Sequence, residues 1–293
     1  MAKPKGNGRR TRKIKIYNTV SYFLENFMPT EQFLKQYHEK FSPHFNEYFL
    51  YHCKNADQKL RAAIEKYPSK FNEIKETNGK IEQLINQIQV AFKQKYNIEF
   101  TTCVHIIVGA YGSNAFTHRQ IIPEVTFCLE RLSSNNEHLK VIIAHEFGHV
   151  LHNILSDNSG IDWSKIQWSH PYTWLLQEGS ATYFSKRVTV ANEPVYFSYD
   201  ESGEEWLQFA KANIRQIITA FIKDFNERTF VQVYHEWFSI NGGTHFGFPR
   251  LGYFIGCCVL ERLIEKYQEH KAVTLWNESN FFAEIDNVLM DLI

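Results

Sequence analysis

No window of this chain approaches the roughly 18 uninterrupted apolar residues that a membrane-spanning helix needs, so no such span is expected. The start is positively charged. The KIKIYNTVSYFLENF that follows keeps polar residues throughout, and so lacks the apolar stretch of about 7 to 15 residues found in a secretory signal. A soluble, cytoplasmic protein is the expectation. Cysteine is sparse: Cys53, Cys103, Cys128, Cys257 and Cys258 are an odd five with no CxxC spacing. That argues against a disulfide framework and against a thiolate zinc site, and the five read as reduced, mostly buried small hydrophobes. Net charge is missing too, with 32 Lys plus Arg against 32 Asp plus Glu, which leaves no general attraction for nucleic acid. Internal repeats and low-complexity segments are absent.

What is present is apolar material: 44% of the 293 residues are hydrophobic and 15% aromatic, enough for a real core in one large or two small domains. The charge is also uneven. Lys3, Lys5, Arg9, Arg10, Arg12, Lys13 and Lys15 fall in the first fifteen residues with no acid among them, leaving a net charge of about −7 on the remainder. Residues 1–18 therefore read as a basic, solvated and disordered arm, with contact to an anionic surface or nucleic acid as the alternative.

From 19 to 98 the apolar residues recur at three and four: Val20, Phe23, Leu24, Phe27; Phe33, Leu34, Tyr37, Phe41; Ile81, Leu84, Ile85, Ile88, Phe92. This is helical periodicity, with Thr30 and Ser42-Pro43 as cap and break points. The aromatics crowded into HFNEYFLYHC are assigned to the core. TTCVHIIVGAYGS and EVTFCLERL are short β-branched runs bounded by turn formers, and read as two strands of a small sheet. Helices are expected through TWLLQEGSATYFSKRV, from about Glu204 to Phe225, through YFIGCCVLERLIEKY and near Phe282 to Leu292, with FSYDESGEE as a surface loop. The order predicts a mainly helical α+β protein in one compact unit.

Inside KVIIAHEFGHVLHNIL lie His145, Glu146 and His149. Residues four apart share a helix face, so the two imidazoles can meet one ion with Glu146 beside it. The alternative is a partly exposed face carrying two unrelated histidines. A catalytic zinc needs a third protein ligand. The extended pattern HExxHxxGxxH is ruled out, since His152 fills the glycine slot and Leu155 the last histidine slot. Glu178, in WLLQEGSATYFS, is the best candidate: an acid among apolar neighbours, followed by Gly179, Ser180 and Ala181, which would let two helices approach closely. A carboxylate there costs several kcal/mol unless it is paired or metal-bound. An ordinary salt bridge is the competing explanation.

HEFGH followed by EGSATYF resembles the HExxH plus EGxA arrangement of glutamate-ligand zinc metallopeptidases. More narrowly it is similar to the bacterial family of predicted zinc-dependent proteases labelled DUF2268, with gliding-motility GldB-like relatives. Their Gly-Tyr-x-x-Gly segment has a counterpart in FPRLGYFIG, with Gly252, Tyr253 and Gly256 in register. The resemblance covers roughly residues 100 to 270. It implies a zincin-like metallopeptidase core over 99–293, Zn2+ on His145, His149 and Glu178, and peptide-bond hydrolysis with Glu146 as general base. The chain departs from the thermolysin pattern, which places an Asp four residues after the third ligand; here that residue is Thr182.

An oxyanion opposite the metal needs a donor. Tyr253 is the first candidate, from its place in the resemblance, with packing at a helix start as its other reading. His245 and Arg250 follow, and Arg250 would alternatively meet a substrate carboxylate. His170 reads as a loop residue. Two other classes stay open: a zinc-stabilised binding or regulatory protein, and an interaction protein working through the basic arm and aromatic helices. The expected partner is a peptide or protein substrate.

Overall fold

The computed structural model describes residues 14–293. Most of the basic arm lies outside the described residues. Its last four, Lys15–Asn18, are a strand, β1, and not an irregular tail. The chain continues through helices α1 (Val20–Asn26), α2 (Glu31–Lys40) and α3 (Ser42–Glu47), a π-helical turn over Tyr48–His52, and α4 (Ala56–Tyr96). Three more strands follow: β2 (Cys103–Ile107), β3 (Ala115–Thr117) and β4 (Val125–Cys128). The remainder is helical: α5 (Asn136–Asn158), α6 (Pro171–Val188), α7 (Val195–Ser198), α8 (Gly203–Ala212), α9 (Ile214–Glu227), α10 (Phe230–Trp237), α11 (Leu251–Tyr267), α12 (Glu269–Val273) and α13 (Phe281–Asp291). The architecture is mainly helical with one small mixed sheet, as an α+β reading requires. No helix among the described residues is long and apolar enough to cross a membrane.

The sheet order is β1-β2-β4-β3, with β1, β2 and β4 parallel and β3 antiparallel at the edge. Successive side chains of a strand alternate between faces. Val104, Ile106, Val125 and Phe127 therefore share one face, and all are fully buried. The opposite face carries Tyr17, His105, Phe116 and Thr126. Expecting two strands missed β1 and β3. Neither has a long apolar run, and both are strands through pairing with β2 and β4.

The N-terminal helices form where periodicity put them. The Thr30 hydroxyl accepts the Phe33 N–H as the N-cap of α2, and Pro43 stands in the first turn of α3. Helix α4 runs 41 residues, about 60 Å, and buries Ile74, Ile81, Ile85, Ile88 and Phe92 along one face. Both of its ends are Asn in the left-handed region, φ 58° at Asn55 and 55° at Asn97, which Asn enters more readily than most residues. The amphipathic stretch from Glu204 to Phe225 forms two helices, α8 and α9, divided at Asn213.

The centre of the molecule is a three-helix contact. Helix α6 lies between α5 and α11, with backbones close enough to exclude side chains. A Cβ on Gly148 of α5 would sit 2.8 Å from the Ala181 carbonyl oxygen, and one on Gly179 of α6 would sit 2.2 Å from that of Gly256. The small residues after Glu178 thus do admit close helix approach, on both sides of α6. Gly179→Ala is expected to destabilise the fold by about 1–3 kcal/mol through backbone displacement. Gly79→Ala, at a helical position with open space around it, should stabilise by about 1 kcal/mol. Thermal midpoints of the two variants check these opposite signs.

Three histidines, His38 and His152 buried and His52 half-buried, are packing residues. His38 packs on Phe45 and Phe49, and His52 stacks on Phe116 at 3.8 Å. His152 stacks on Trp276 and its Nε2 donates to the Val273 carbonyl at 2.6 Å, away from the His145 and His149 donors, while its Nδ1 is buried without a partner among the described residues. Burial lowers their pKa values to about 4, 3 and 3 respectively. Each stays neutral in the folded protein while the unfolded chain protonates near 6.5, so acid favours unfolding. His118, His145 and His170, lowered to about 4, act in the same sense, whereas Glu130 and Glu146, raised by burial to about 7, oppose it, and the histidine contribution is fully present above about pH 6.5. Below it, the loss is about 1 kcal/mol per histidine for each pH unit. Urea midpoints falling from about pH 7 to 5 would bear this out, and a flat profile would contradict it.

Candidate metal centre

Helix α5 is capped by Asn135, whose side chain accepts the Glu137 N–H, and the helix is buried through most of its length. Helix α6 starts at Pro171, and His170 caps it by accepting the Tyr172 N–H on Nδ1. His170 is thus a capping residue.

The close packing of α5 on α6 brings Glu178 under the two histidines. Its Oε2 lies 3.2 Å from His145 Nε2 and 3.5 Å from His149 Nε2. The two imidazole planes stand at 89°, with ring centroids 4.9 Å apart, and all three donor atoms lie within 4.8 Å of one another. Four ligands placed tetrahedrally at zinc's usual bond lengths are about 3.3 Å from each other. The observed spacings straddle that value, so the donor set fits a tetrahedral ion.

The electrostatics fit as well. Burial opposes charge on Glu178, but His149 and His145 outweigh it and hold the carboxyl well below the usual carboxylate range. Burial works against protonation of His149 too, and the Glu178 carboxylate overcomes it and raises the pKa. His145 is lowered to about 4 by burial. Without metal, Glu178 thus favours a proton on His149, and a divalent cation would take that proton's place between them. Glu146 is buried at 7% exposure and is pushed up to about 7 by that burial.

The orienting group that metal-bound histidines usually have is missing for His145: its Nδ1 is buried without a partner among the described residues. Thr182, where an Asp would support it in thermolysin, is likewise buried with its hydroxyl unpaired.

Tyr253 is brought to the site, its ring stacked on that of His145 with centroids 5.7 Å apart. Gly252 and Gly256, the glycines flanking it in the GYxxG segment, have packing reasons: a Cβ would sit 2.7 Å from the Trp237 carbonyl oxygen at one and 2.4 Å from that of Leu175 at the other. Arg250 is also near, its guanidinium 5.3 Å from the Tyr199 ring and 5.8 Å from that of Tyr253. It sits at φ 60°, a strained conformation for a non-glycine residue, and its Nε is buried without a partner among the described residues.

His245 is not among the residues gathered here. Its Nε2 pairs with Asp224 at 2.8 Å and its N–H donates to Glu236 at 2.9 Å. Trp237 and Arg228 bind the same aspartate. This network ties α9 and α10 to the following loop, and its polar contacts are structural.

Tyr199 went unremarked in the sequence. It ends α7 at φ 64°, is buried, and carries a hydroxyl with no partner among the described residues. Its ring meets His145 edge-on at 5.5 Å. FSYDESGEE reads as a polar loop, and nothing in its composition shows that one tyrosine turns inward. A cleft lined by Ile142, Arg131, Tyr199 and Arg250 opens beside the triad without containing it.

No family model, curated protein or solved structure matches the chain.

Proposed function

We propose that this chain is a zinc metallopeptidase that hydrolyses peptide bonds, with a zincin-like core over residues 99–293 and the DUF2268-like motifs as its working parts. The observation that carries the reading is the convergence of His145 Nε2 and His149 Nε2 on one Glu178 oxygen at 3.2 and 3.5 Å. Zinc held there would lower the pKa of a coordinated water towards about 7 and polarise a carbonyl.

The chain's own residues supply the rest. Glu146 follows His145 directly and has no ion-pair partner among the described residues, and burial raises its pKa to about 7. It is suited to take a proton from the attacking water and deliver it to the leaving amine. The hydroxyls of Tyr199 and Tyr253, whose rings flank His145, are the donors available to a developing oxyanion. Burial raises both phenols well above their ordinary pKa, so they remain protonated donors. Arg250 lies on the wall of the adjoining cleft, and a substrate carboxylate is the group it would meet there.

Digestion of a peptide library with and without a chelator, read by mass spectrometry, tests the reading. Cleavage that stops on chelation and returns with zinc is expected. Absence of cleavage in zinc-loaded protein would favour a non-catalytic, zinc-stabilised binding protein.

A further inference from the structure

A second group of metal-type donors stands on the sheet, in strands β2, β3 and β4 and the residues that adjoin them. His105 lies in β2 opposite Thr126 of β4. His118 follows β3 and Glu124 precedes β4; they extend the antiparallel register by one pair, and the His118 N–H donates to the Glu124 carbonyl at 2.8 Å. Alternation then puts His105, His118 and Glu124 on one face of the sheet. We propose that these three residues form a second binding site for a divalent transition-metal ion of zinc's ligand preference, independent of the His145 site.

The donor atoms are near the required spacing. Glu124 Oε2 lies 2.7 Å from His105 Nε2 and 3.9 Å from His118 Nδ1, and all three atoms fall within 4.8 Å of one another. These distances bracket the value of about 3.3 Å between tetrahedral zinc ligands. The short one is the hydrogen bond that closes His105 onto Glu124 when no cation separates them.

Each histidine is also held by its other nitrogen, as metal-bound histidines generally are. His118 Nε2 is 2.7 Å from the hydroxyl of the fully buried Thr126, which leaves Nδ1 to face the shared position. His105 Nδ1 is 2.9 Å from His44 Nδ1. With the His105 proton on Nδ1 and donated to His44, its Nε2 lone pair is free for an ion. Neighbouring cations are engaged elsewhere: Lys15 lies over the Tyr17 ring and Arg119 over the Tyr51 ring. Cys103, on the same face two residues before His105, or a water would complete the shell of a borderline-soft ion.

The two donor groups predict two zinc equivalents per full-length chain, measured by titration of metal-free protein against a chromophoric chelator. His118→Gln should bind one, His145→Ala should bind one, and the double variant none. Cobalt added to the His145→Ala chain, which leaves this cluster intact, should give tetrahedral d–d absorption that His118→Gln removes; a thiolate charge-transfer band lost in Cys103→Ser would assign the fourth ligand. A single equivalent in the wild type, lost in His145→Ala and kept in His118→Gln, would overturn this site and leave the peptidase reading standing. A single equivalent with the reverse pattern would support this site and remove the other. Unaltered cobalt spectra in a folded His118→Gln, His145→Ala protein would also overturn it.

Discussion

Glu146→Gln is expected to keep zinc and lose hydrolysis, with kcat/KM falling by about 10²–10⁴-fold, the range general acid–base groups contribute. The amide is nearly isosteric and cannot accept a proton, and Glu146 contributes no donor atom to the triad, so metal content should match the wild type. The substitution also removes a buried carboxyl whose ionisation burial opposes, so the fold should be unharmed or steadier near neutral pH. Zinc analysis paired with a fluorogenic peptide assay separates the outcomes. Unchanged turnover in the variant would remove Glu146 from the chemistry.

Glu178→Gln should have the opposite signature, losing metal and activity together. An uncharged amide oxygen is a much poorer zinc ligand than a carboxylate, and replacing even the groups behind a ligand costs 10- to 100-fold in affinity, so the loss here should exceed about 100-fold. In the metal-free protein Glu178 pairs with both His145 and His149. Removing that charge should cost about 2 kcal/mol, the scale of a hydrogen bond to a charged group. Competition titration with a chelator reads the affinity, and urea denaturation in excess chelator reads the stability. Wild-type zinc affinity in this variant would show that the third ligand lies elsewhere.

The candidate site was legible where its parts are local or chemically conspicuous. His145, Glu146 and His149 share one helix turn, and Glu178 stands out as an acid on an otherwise apolar helix with small residues behind it. Helical periodicity likewise located the N-terminal layer and α6, α11 and α13. What escaped depends on long-range return of the chain. Lys15, Ile16 and Tyr17 look like the end of a basic arm and become a strand by pairing with Cys103, Val104 and His105. Tyr199 reaches His145 because α7 ends in a left-handed residue that turns its ring inward. His105, His118 and Glu124 come from three strand segments and have no shared spacing to announce them. His245 looked available in GGTHFGFPR, but the Asp224 that occupies it is 21 residues upstream.

Crystals of the zinc-loaded, full-length protein, with data collected on both sides of the zinc absorption edge, would locate the ion. An anomalous peak about 2.0 Å from His145 Nε2, His149 Nε2 and a Glu178 carboxylate oxygen is expected. A zinc-loaded crystal with no peak among those three atoms would contradict it.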